Sequence, residues 1–446
     1  MGAYAGPTNF LNVGASPSLM LNFARDKNLK DRISGNNLIT FTRSSTGTYV
    51  NSVGIITSNA ANVPRFDHNP VTGESLGLLI EESRTNLTTY SEQLDNARWA
   101  VANFTLSANT TDTTTPDGTN TAEKILETVT NGIHAFGSYN AYSISAGTIY
   151  TASIFVRSIN KQFVQLVFDD TATTNGGHIN FDLTAGTITA SANYGTGASI
   201  SGTITSYPNN WYRLSITTTA GTSGTFGRFA VNGIISGSSV AFQGYAGNTS
   251  NGYYIWGAQV EQATFPTSYI PTVASTVTRS ADNVSMTGIN FSSWYNSSEG
   301  SVYCRYNRIG IQASNTGVST PWGVSDGTFS NSISLVGGSL VPTSRRFDIL
   351  NSGSATAQLF FSETETTQTF NKSCVTYKLN DIAGSYNAQT VLTDTSSNIP
   401  AVNVFCIGRR DPASGIDYLN GNISQLFYYP SRLTNTKLQQ TTQIFS

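Results

Sequence analysis

Side chains able to do acid–base or nucleophilic chemistry are few in this chain, and they are scattered. There are three histidines, His68, His134 and His178. None stands in HExxH or His-x-His spacing, so they offer no metal site and no base for a nucleophile, and they read as turn or surface residues. No GxSxG nucleophile elbow occurs. The tetrad Ser158-Ile159-Asn160-Lys161 matches S-x-x-K, but it closes a predicted strand and lacks the partner motifs. Glycan cleavage runs on two carboxyl groups about 5–10 Å apart. The adjacent pairs Glu81–Glu82 and Asp169–Asp170 are wrong for that task, because neighbours on a strand point to opposite faces. Glu363 and Glu365 share a face, but their Ser/Thr-rich stretch reads as a solvated edge. No phosphate-binding loop or dinucleotide fingerprint follows a strand. Cys304, Cys374 and Cys406 are odd in number and without CxxC spacing, so they read as buried small hydrophobes rather than a disulfide framework or zinc site.

Binding chemistry is better represented. Trp294 and Tyr295 (INFSSWYNSS) and Trp322 (TPWGVSDG) lie in polar, loop-like surroundings. An aromatic face there can stack on the apolar C–H face of a sugar, and these three are the predicted carbohydrate-binding residues. The same residues could instead cap the end of a hydrophobic core. Trp211 and Trp256 have alternating apolar neighbours and are predicted to be core. Asn86, Asn103, Asn283 and Asn422 begin Asn-x-Ser/Thr sequons, a by-product of an Asn- and Thr-rich composition.

The elements that must position these residues are β-strands. Charged residues are 11% of the 446, less than half the roughly 25% usual in soluble proteins. Polarity comes instead from Ser, Thr, Asn and Gly, which favour strands, turns and caps over helix interiors. Aromatics at 11% exclude a disordered chain. A net charge of −2 supplies no basic field for nucleic acid. No apolar run approaches the roughly 20 residues of a membrane span, so no membrane insertion is expected. The N-terminal stretch has no basic region followed by a compact apolar one, which predicts no secretory leader, and the three unpaired cysteines predict synthesis in a reducing cytoplasm.

The predicted fold is all-β, with two antiparallel β-sandwich (jelly-roll) domains after an irregular N-terminal region. Residues 1–86 hold clustered charges and a small hairpin between Gly47 and Gly54, and would be marginal alone. Residues 87–272 repeat short strands between turn signals: YTASIFVRS, FVQLVFDD, WYRLSITTT and YYIWGAQVEQ. In the first of these, Tyr150, Ala152, Ile154 and Val156 share one face. AEKILETV (122–129) is compatible with a short helix, although its strand context opposes one. Residues 273–282 form a linker and 283–446 a second sandwich, closed by a turn or two of helix capped by Thr434 or Asn435.

Three of these blocks carry a resemblance. Leu21–Leu87, with LNFARDKNLKDR, ITFTRSSTGTYVNSVGII and NVPRFDHNPVTGESLGLLIEESRTNL, resembles the N-terminal region of bacteriophage and prophage virion structural proteins of the tail-fibre type. YTASIFVRS, NNWYRLSITTT and YYIWGAQVEQATFPTSYIPT resemble a carbohydrate-binding-module-like jelly roll. GNISQLFYYPSRLTNTKLQQ resembles, more weakly, the end of a concanavalin A/laminin-G-like jelly roll. The resemblance implies a non-enzymatic protein on the virion surface, joined to other virion proteins through residues 1–86. Within that class the expected role is a tail fibre or tail-associated receptor-binding protein contacting host surface glycans, as a homo-oligomer and by analogy a trimer. A capsid decoration protein and a tail-borne polysaccharide depolymerase are the alternatives. A structural calcium is compatible with the resemblance, but no loop has the carboxylate density to assign one, so no cofactor is expected.

Overall fold

Alternation of apolar and polar residues builds the first sandwich as the sequence implies. In the strand Ile149–Ile159, Tyr150, Ala152, Ile154 and Val156 all point into one core, with Ile154 opposite Leu214 and Ala152 opposite Ile216 of the neighbouring strand. The computed structural model describes residues 15–444 except 171–174, 197, 222–225, 311–318, 338–344, 363–367, 414 and 416. Strands make up 50% of it and helices 5%. One sheet of the first sandwich runs Ala198–Tyr207, Trp211–Thr219, Ile149–Ile159, Gly252–Glu261, Glu123–Glu127, Phe104–Ser107. The facing sheet runs Thr187–Tyr194, Gly176–Asp182, Phe163–Asp170, Phe226–Gly233, Ala135–Ser143, Trp99–Ala102. Leu166, Phe168, Phe229 and Ile255 fill the space between them. The 122–129 stretch is the strand Glu123–Glu127, not a helix.

The second sandwich does not start at 283. Its first sheet runs Leu392–Asp394, Ile382–Tyr386, Asn371–Lys378, Glu299–Arg308, Gly421–Tyr429, Ser75–Ile80, Phe66–His68. Leu19–Asn22 pairs with the other end of Gly421–Tyr429, with Leu21 opposite Leu426. The facing sheet runs Thr40–Thr42, Asn283–Thr287, Val404–Ile407, Ser319–Ser325, Ser332–Gly337, Arg345–Asn351, Ser354–Phe361. Four strands before residue 81 therefore belong to this sandwich, and Leu19, Leu21, Phe23, Leu38, Phe41, Leu78 and Ile80 share its core. The expected separation of 1–86 as an irregular region is corrected accordingly. The segment looks apolar-poor because it completes a core made mostly by residues some 200–400 positions later. The first sandwich is inserted between the two halves of the second. The chain leaves along Arg84–Asn86 and returns along Val277–Arg279, and these two crossings pair antiparallel. The expected linker 273–282 thus contains a strand. At the C-terminus, Asn435–Ile444 is helical, and Thr434 Oγ1 accepts from Lys437 N at 3.4 Å as its cap.

A buried charge network locks the joint between the sandwiches. Arg65 Nη1 is 2.8 Å from Glu81 Oε2, Arg43 Nη1 is 3.0 Å from Asp282 Oδ1, and Arg65 also pairs with Asp282. Glu81 accepts further bonds from Ser268 N at 2.8 Å and Ser268 Oγ at 2.7 Å. Burial opposes the charged form of Glu81, but Arg279 and Arg65 outweigh it and hold the carboxyl at about 2. A second seam is aromatic. Trp256, Trp211, Phe155 and Tyr269 lie on the outer face of the first sandwich, under Val50 and Ile56 of the hairpin Gly47–Val50/Ile56–Asn59. Trp256 is buried, as expected, but in this seam rather than in the central core.

Candidate functional site

The three predicted sugar-stacking residues are not at the surface. Trp322 is 0% and Trp294 5% exposed, and Tyr295 packs beside them against the core of the second sandwich. Trp322 sits mid-strand and stacks on Phe405 with centroids 6.0 Å apart. Its flanks look loop-like because Gly323 must be small: a Cβ there would lie 2.1 Å from the carbonyl oxygen of Arg410. Trp294 and Tyr295 follow the single helical turn Ile289–Ser292 and plug the core end with Phe291, Trp294 lying 5.0 Å from Tyr428 and 5.5 Å from Phe405. Phe291, Trp294 and Tyr295 stand at i, i+3, i+4, a helical apolar face that was readable in the sequence. Trp294 and Trp322 are therefore withdrawn as carbohydrate contacts, because a buried ring has no face to offer a sugar, and half-buried Tyr295 is withdrawn with them because its ring stacks on Phe291 at 4.4 Å and on Tyr377 at 6.0 Å.

Other chemically suggestive residues are held in bonds that maintain the fold. Glu81 belongs to the joint, and Glu82 pairs with Arg84. Asp169 accepts from Arg228 Nε at 2.8 Å, and Asp170 accepts from Asn175 Nδ2 at 2.7 Å. Lys161 Nζ lies 2.6 Å from Glu127 Oε1, and Ser158 Oγ donates to the Lys161 carbonyl at 2.6 Å. The histidines are all buried, contrary to the surface expectation. His134 packs on Tyr245 at 4.5 Å. Burial pushes the pKa of His178 down. The cysteines are free and buried, and burial pushes all three thiols up. Glu363 and Glu365 lie outside the described residues. Among the described residues no group of three or more His, Cys, Asp or Glu is placed to hold a metal ion, and no helix is long and apolar enough to cross a membrane.

A polar face on the first sandwich is closed by its own chain. Away from the core, Gln165 Nε2 donates to Asn180 Oδ1 at 2.8 Å, and Asn232 Nδ2 donates to Gln165 Oε1 at 3.2 Å. The segment 236–242 crosses this row. Asn180 Nδ2 donates to the carbonyls of Gly237 at 3.1 Å and Ser239 at 2.7 Å, and Arg228 stacks on Phe242 at 4.6 Å. The amides are thus occupied by a strap of backbone carbonyls.

The open concavity lies between the sandwiches. The edge strand Ala198–Tyr207 of the first faces the edge strand Phe66–His68 of the second across a cavity of about 250 Å³. Asp67, His68, Thr203, Thr205, Tyr207 and Asn422 are among the residues lining it. Two neighbours on one strand share the cleft because the register of Phe66–His68 slips between Asp67 and His68. Both grip the hairpin: Asp67 Oδ1 accepts from Val50 N at 2.7 Å, and His68 Nδ1 lies 3.1 Å from Val50 O. Asp67 is half-buried, and burial pushes its carboxyl up to about 6 against the pull of the Val50 N–H and Arg65. It is the only carboxylate lining the cleft among the described residues. Burial pushes the His68 imidazole down, towards its neutral form. Arg213 also reaches the cleft, with its guanidinium engaged by Thr267 O at 2.7 Å and Ser153 Oγ at 3.1 Å. The arrangement combines hydroxyls, amides and a phenol with one carboxyl, which suits recognition of a polar ligand by hydrogen bonds. Sequence reasoning missed this site. Its signals were His68, set aside as a turn or surface histidine, its neighbour Asp67, which was not considered, and Asn422, set aside as a sequon.

No family model matches the chain, and no curated protein matches it. Among solved structures it is similar to the CBM40 of the Ruminococcus gnavus IT-sialidase bound to α2,3-sialyllactose, at 15% identity and a TM-score of 0.28, over 33% of this chain and 83% of that one. It is also similar to domain 4 of AbnA, a GH43 extracellular arabinanase from Geobacillus stearothermophilus, in complex with arabinotriose, at 12% identity and a TM-score of 0.27, over 40% of this chain and 82% of that one. Trypanosoma rangeli sialidase aligns at 10% identity and a TM-score of 0.28, over 72% of this chain and 60% of that one. Likenesses this loose identify neither a ligand nor an activity.

Proposed function

We propose that this is a non-enzymatic surface protein of a bacteriophage particle, a tail fibre or tail-associated receptor-binding protein, which contacts host surface glycans through the cleft between its sandwiches. The observation that carries the glycan reading is the cleft itself: a cavity of about 250 Å³ lined by hydroxyl, amide, carboxyl and phenol groups. The size suits one sugar unit rather than a long chain. The virion reading is supported by the sequence resemblance of Leu21–Leu87 and of the recurrent strands of the first sandwich. Assembly with other virion proteins is part of the proposal, with the second sandwich as the attachment body now that residues 19–86 are built into it. A non-catalytic role fits the lining, in which Asp67 is the one carboxylate among the described residues, since glycoside hydrolysis by paired carboxyl groups uses two in concert. So small a contact should bind with a Kd on the order of millimolar, about −4 kcal/mol. Adhesion then needs several linked copies, so the proposal includes a homo-oligomer, by analogy a trimer.

The test joins location to chemistry. Antibody against the protein, applied to intact particles, should label the tail; head labelling would favour a capsid decoration protein instead. Purified protein should bind host surface polysaccharide without releasing reducing ends. Steady release of new ends would overturn the non-enzymatic reading.

A further inference from the structure

We infer that Arg305, Lys372 and Gln425 form an oxyanion-binding site on the outer face of the second sandwich, beside the cleft, suited to the carboxylate or phosphate of an acidic sugar. That a sugar carries the anion rests on the reading of the cleft as the glycan-contacting site; the site for the anion does not. The three side chains stand in one row across three neighbouring strands. Arg305 is directly opposite Lys372 of Asn371–Lys378 and directly opposite Gln425 of Gly421–Tyr429. Cys304 and Tyr306, on either side of Arg305, belong to the central core, so Arg305 points outward. Its outward neighbours on the same strand show what flanks the row. Tyr303 belongs to the small core that Cys374 and Phe427 share with Leu438 of the C-terminal helix. Asn307 lines the cleft. Arg305, Lys372 and Gln425 lie between the two and are all half-buried.

The row offers donors only. Arg305 is held by neutral groups: Nη1 donates to Ser424 Oγ at 3.0 Å, and the guanidinium lies over the Phe370 ring at 3.9 Å. These contacts fix the fork on the outer face, while Nη2 makes no hydrogen bond among the described residues and is not enclosed. Gln425 Oε1 accepts from Tyr303 Oη at 3.5 Å, which leaves Nε2 as the free donor of that amide. Lys372 adds an ammonium group. Like charges directly opposite on a sheet are destabilising. Burial and Arg305 both push the Lys372 pKa down, and no carboxylate among the described residues pulls it back. Directly opposite residues have Cβ atoms about 4.5–5.5 Å apart, so one oxyanion spans both cations and offsets their repulsion. A carboxylate or phosphate fits the fork in two parallel bonds, which neither a neutral hydroxyl nor a cation can do. Asn307 is two residues along the strand, about 7 Å by the strand rise, so a sugar at the cleft brings an acidic group of its own chain within reach of the row.

Calorimetric titration of the full chain at neutral pH and low salt tests this with glucuronate, glucose 6-phosphate and glucose. At least one anionic sugar should bind saturably, glucuronate alone marking a carboxylate site and glucose 6-phosphate alone a phosphate site. Glucose should bind at least tenfold more weakly. Lys372→Gln and Arg305→Gln should each weaken the anion at least tenfold, whereas Lys372→Arg keeps the charge and should retain binding. Without ligand, the urea midpoint of Lys372→Gln should equal or exceed the parent's, because a repulsion is removed, so its loss of binding is not a loss of fold. Saturable binding of neither anion, equal anion binding by the parent and Lys372→Gln, or glucose binding as tightly as the anions would overturn the inference. If the parent binds an anionic sugar but no host polysaccharide, the oxyanion site stands and the proposed function falls. If polysaccharide binding is lost in Thr203→Arg while neither anion binds the parent, this inference falls and the proposed function stands.

Discussion

Asp67 couples the cleft to stability. Its carboxyl is raised from 3.8 in the unfolded chain to about 6 in the fold. The folded state therefore holds the proton more tightly, and the protein loses stability as pH rises from below 3.8 through 6. Asp67→Asn keeps an oxygen to accept from Val50 N and removes the charge. It should stabilise the protein by about 1–3 kcal/mol at pH 7.5 and change little at pH 3.5, where the parent is already protonated. Urea midpoints at the two pH values check this; an equal effect at both would show that charge is not the cause. Trp256 makes a different case. It is buried in the seam under the hairpin, and its Nε1 donates to Thr121 Oγ1 at 3.0 Å. Trp256→Ala should cost roughly 3–5 kcal/mol. An unchanged unfolding midpoint would contradict the seam. Burial of this residue was legible from its apolar neighbours. Burial of Trp322 was not, because the covering backbone of Arg410 is nearly ninety residues away and leaves no local mark except Gly323.

At the scale of elements, strand identity was legible and strand partnership was not. Alternation marked Ile149–Ile159 and its neighbours, and the glycines marked the hairpin Gly47–Val50/Ile56–Asn59. Nothing near Leu19–Asn22 indicates that its partner is Gly421–Tyr429, since pairing over that span depends on the shape of a core assembled elsewhere. The consequence is a sharp expectation for truncation. Removing residues 1–86 deletes four strands of the second sandwich, and the remaining 87–446 should aggregate or show an unfolded second half, while 87–272 alone should fold. Circular dichroism and limited proteolysis of the two fragments decide it; two intact sandwiches in 87–446 would contradict the discontinuous fold. The strap offers a smaller test. Asn180→Ala removes the donor to Gly237 and Ser239 carbonyls and should cost about 1–3 kcal/mol, with faster hydrogen exchange confined to 236–242. Unchanged exchange there would mean that the strap is held by other contacts.

At the scale of the molecule, inserting one sandwich into the other fixes their relation at two paired crossings and a buried charge network, and the cleft is what that arrangement leaves open. Sequence reading placed sugar recognition in the second sandwich alone, on aromatic residues. The cleft proposed for that role draws its polar lining from both sandwiches and the hairpin, so no single motif would announce it. The glycan role and the virion role remain proposals of different origin, and only the first depends on this geometry. The most direct measurement is binding of host surface polysaccharide by three full-length proteins: the parent, Thr203→Arg in the cleft, and Thr189→Arg, where Thr189 Oγ1 meets the strap carbonyl of Gly237 at 2.8 Å. The account predicts that Thr203→Arg lowers binding at least tenfold while Thr189→Arg binds as the parent does. Parental binding by Thr203→Arg, with loss in Thr189→Arg, would contradict it and move the site to the face of the first sandwich.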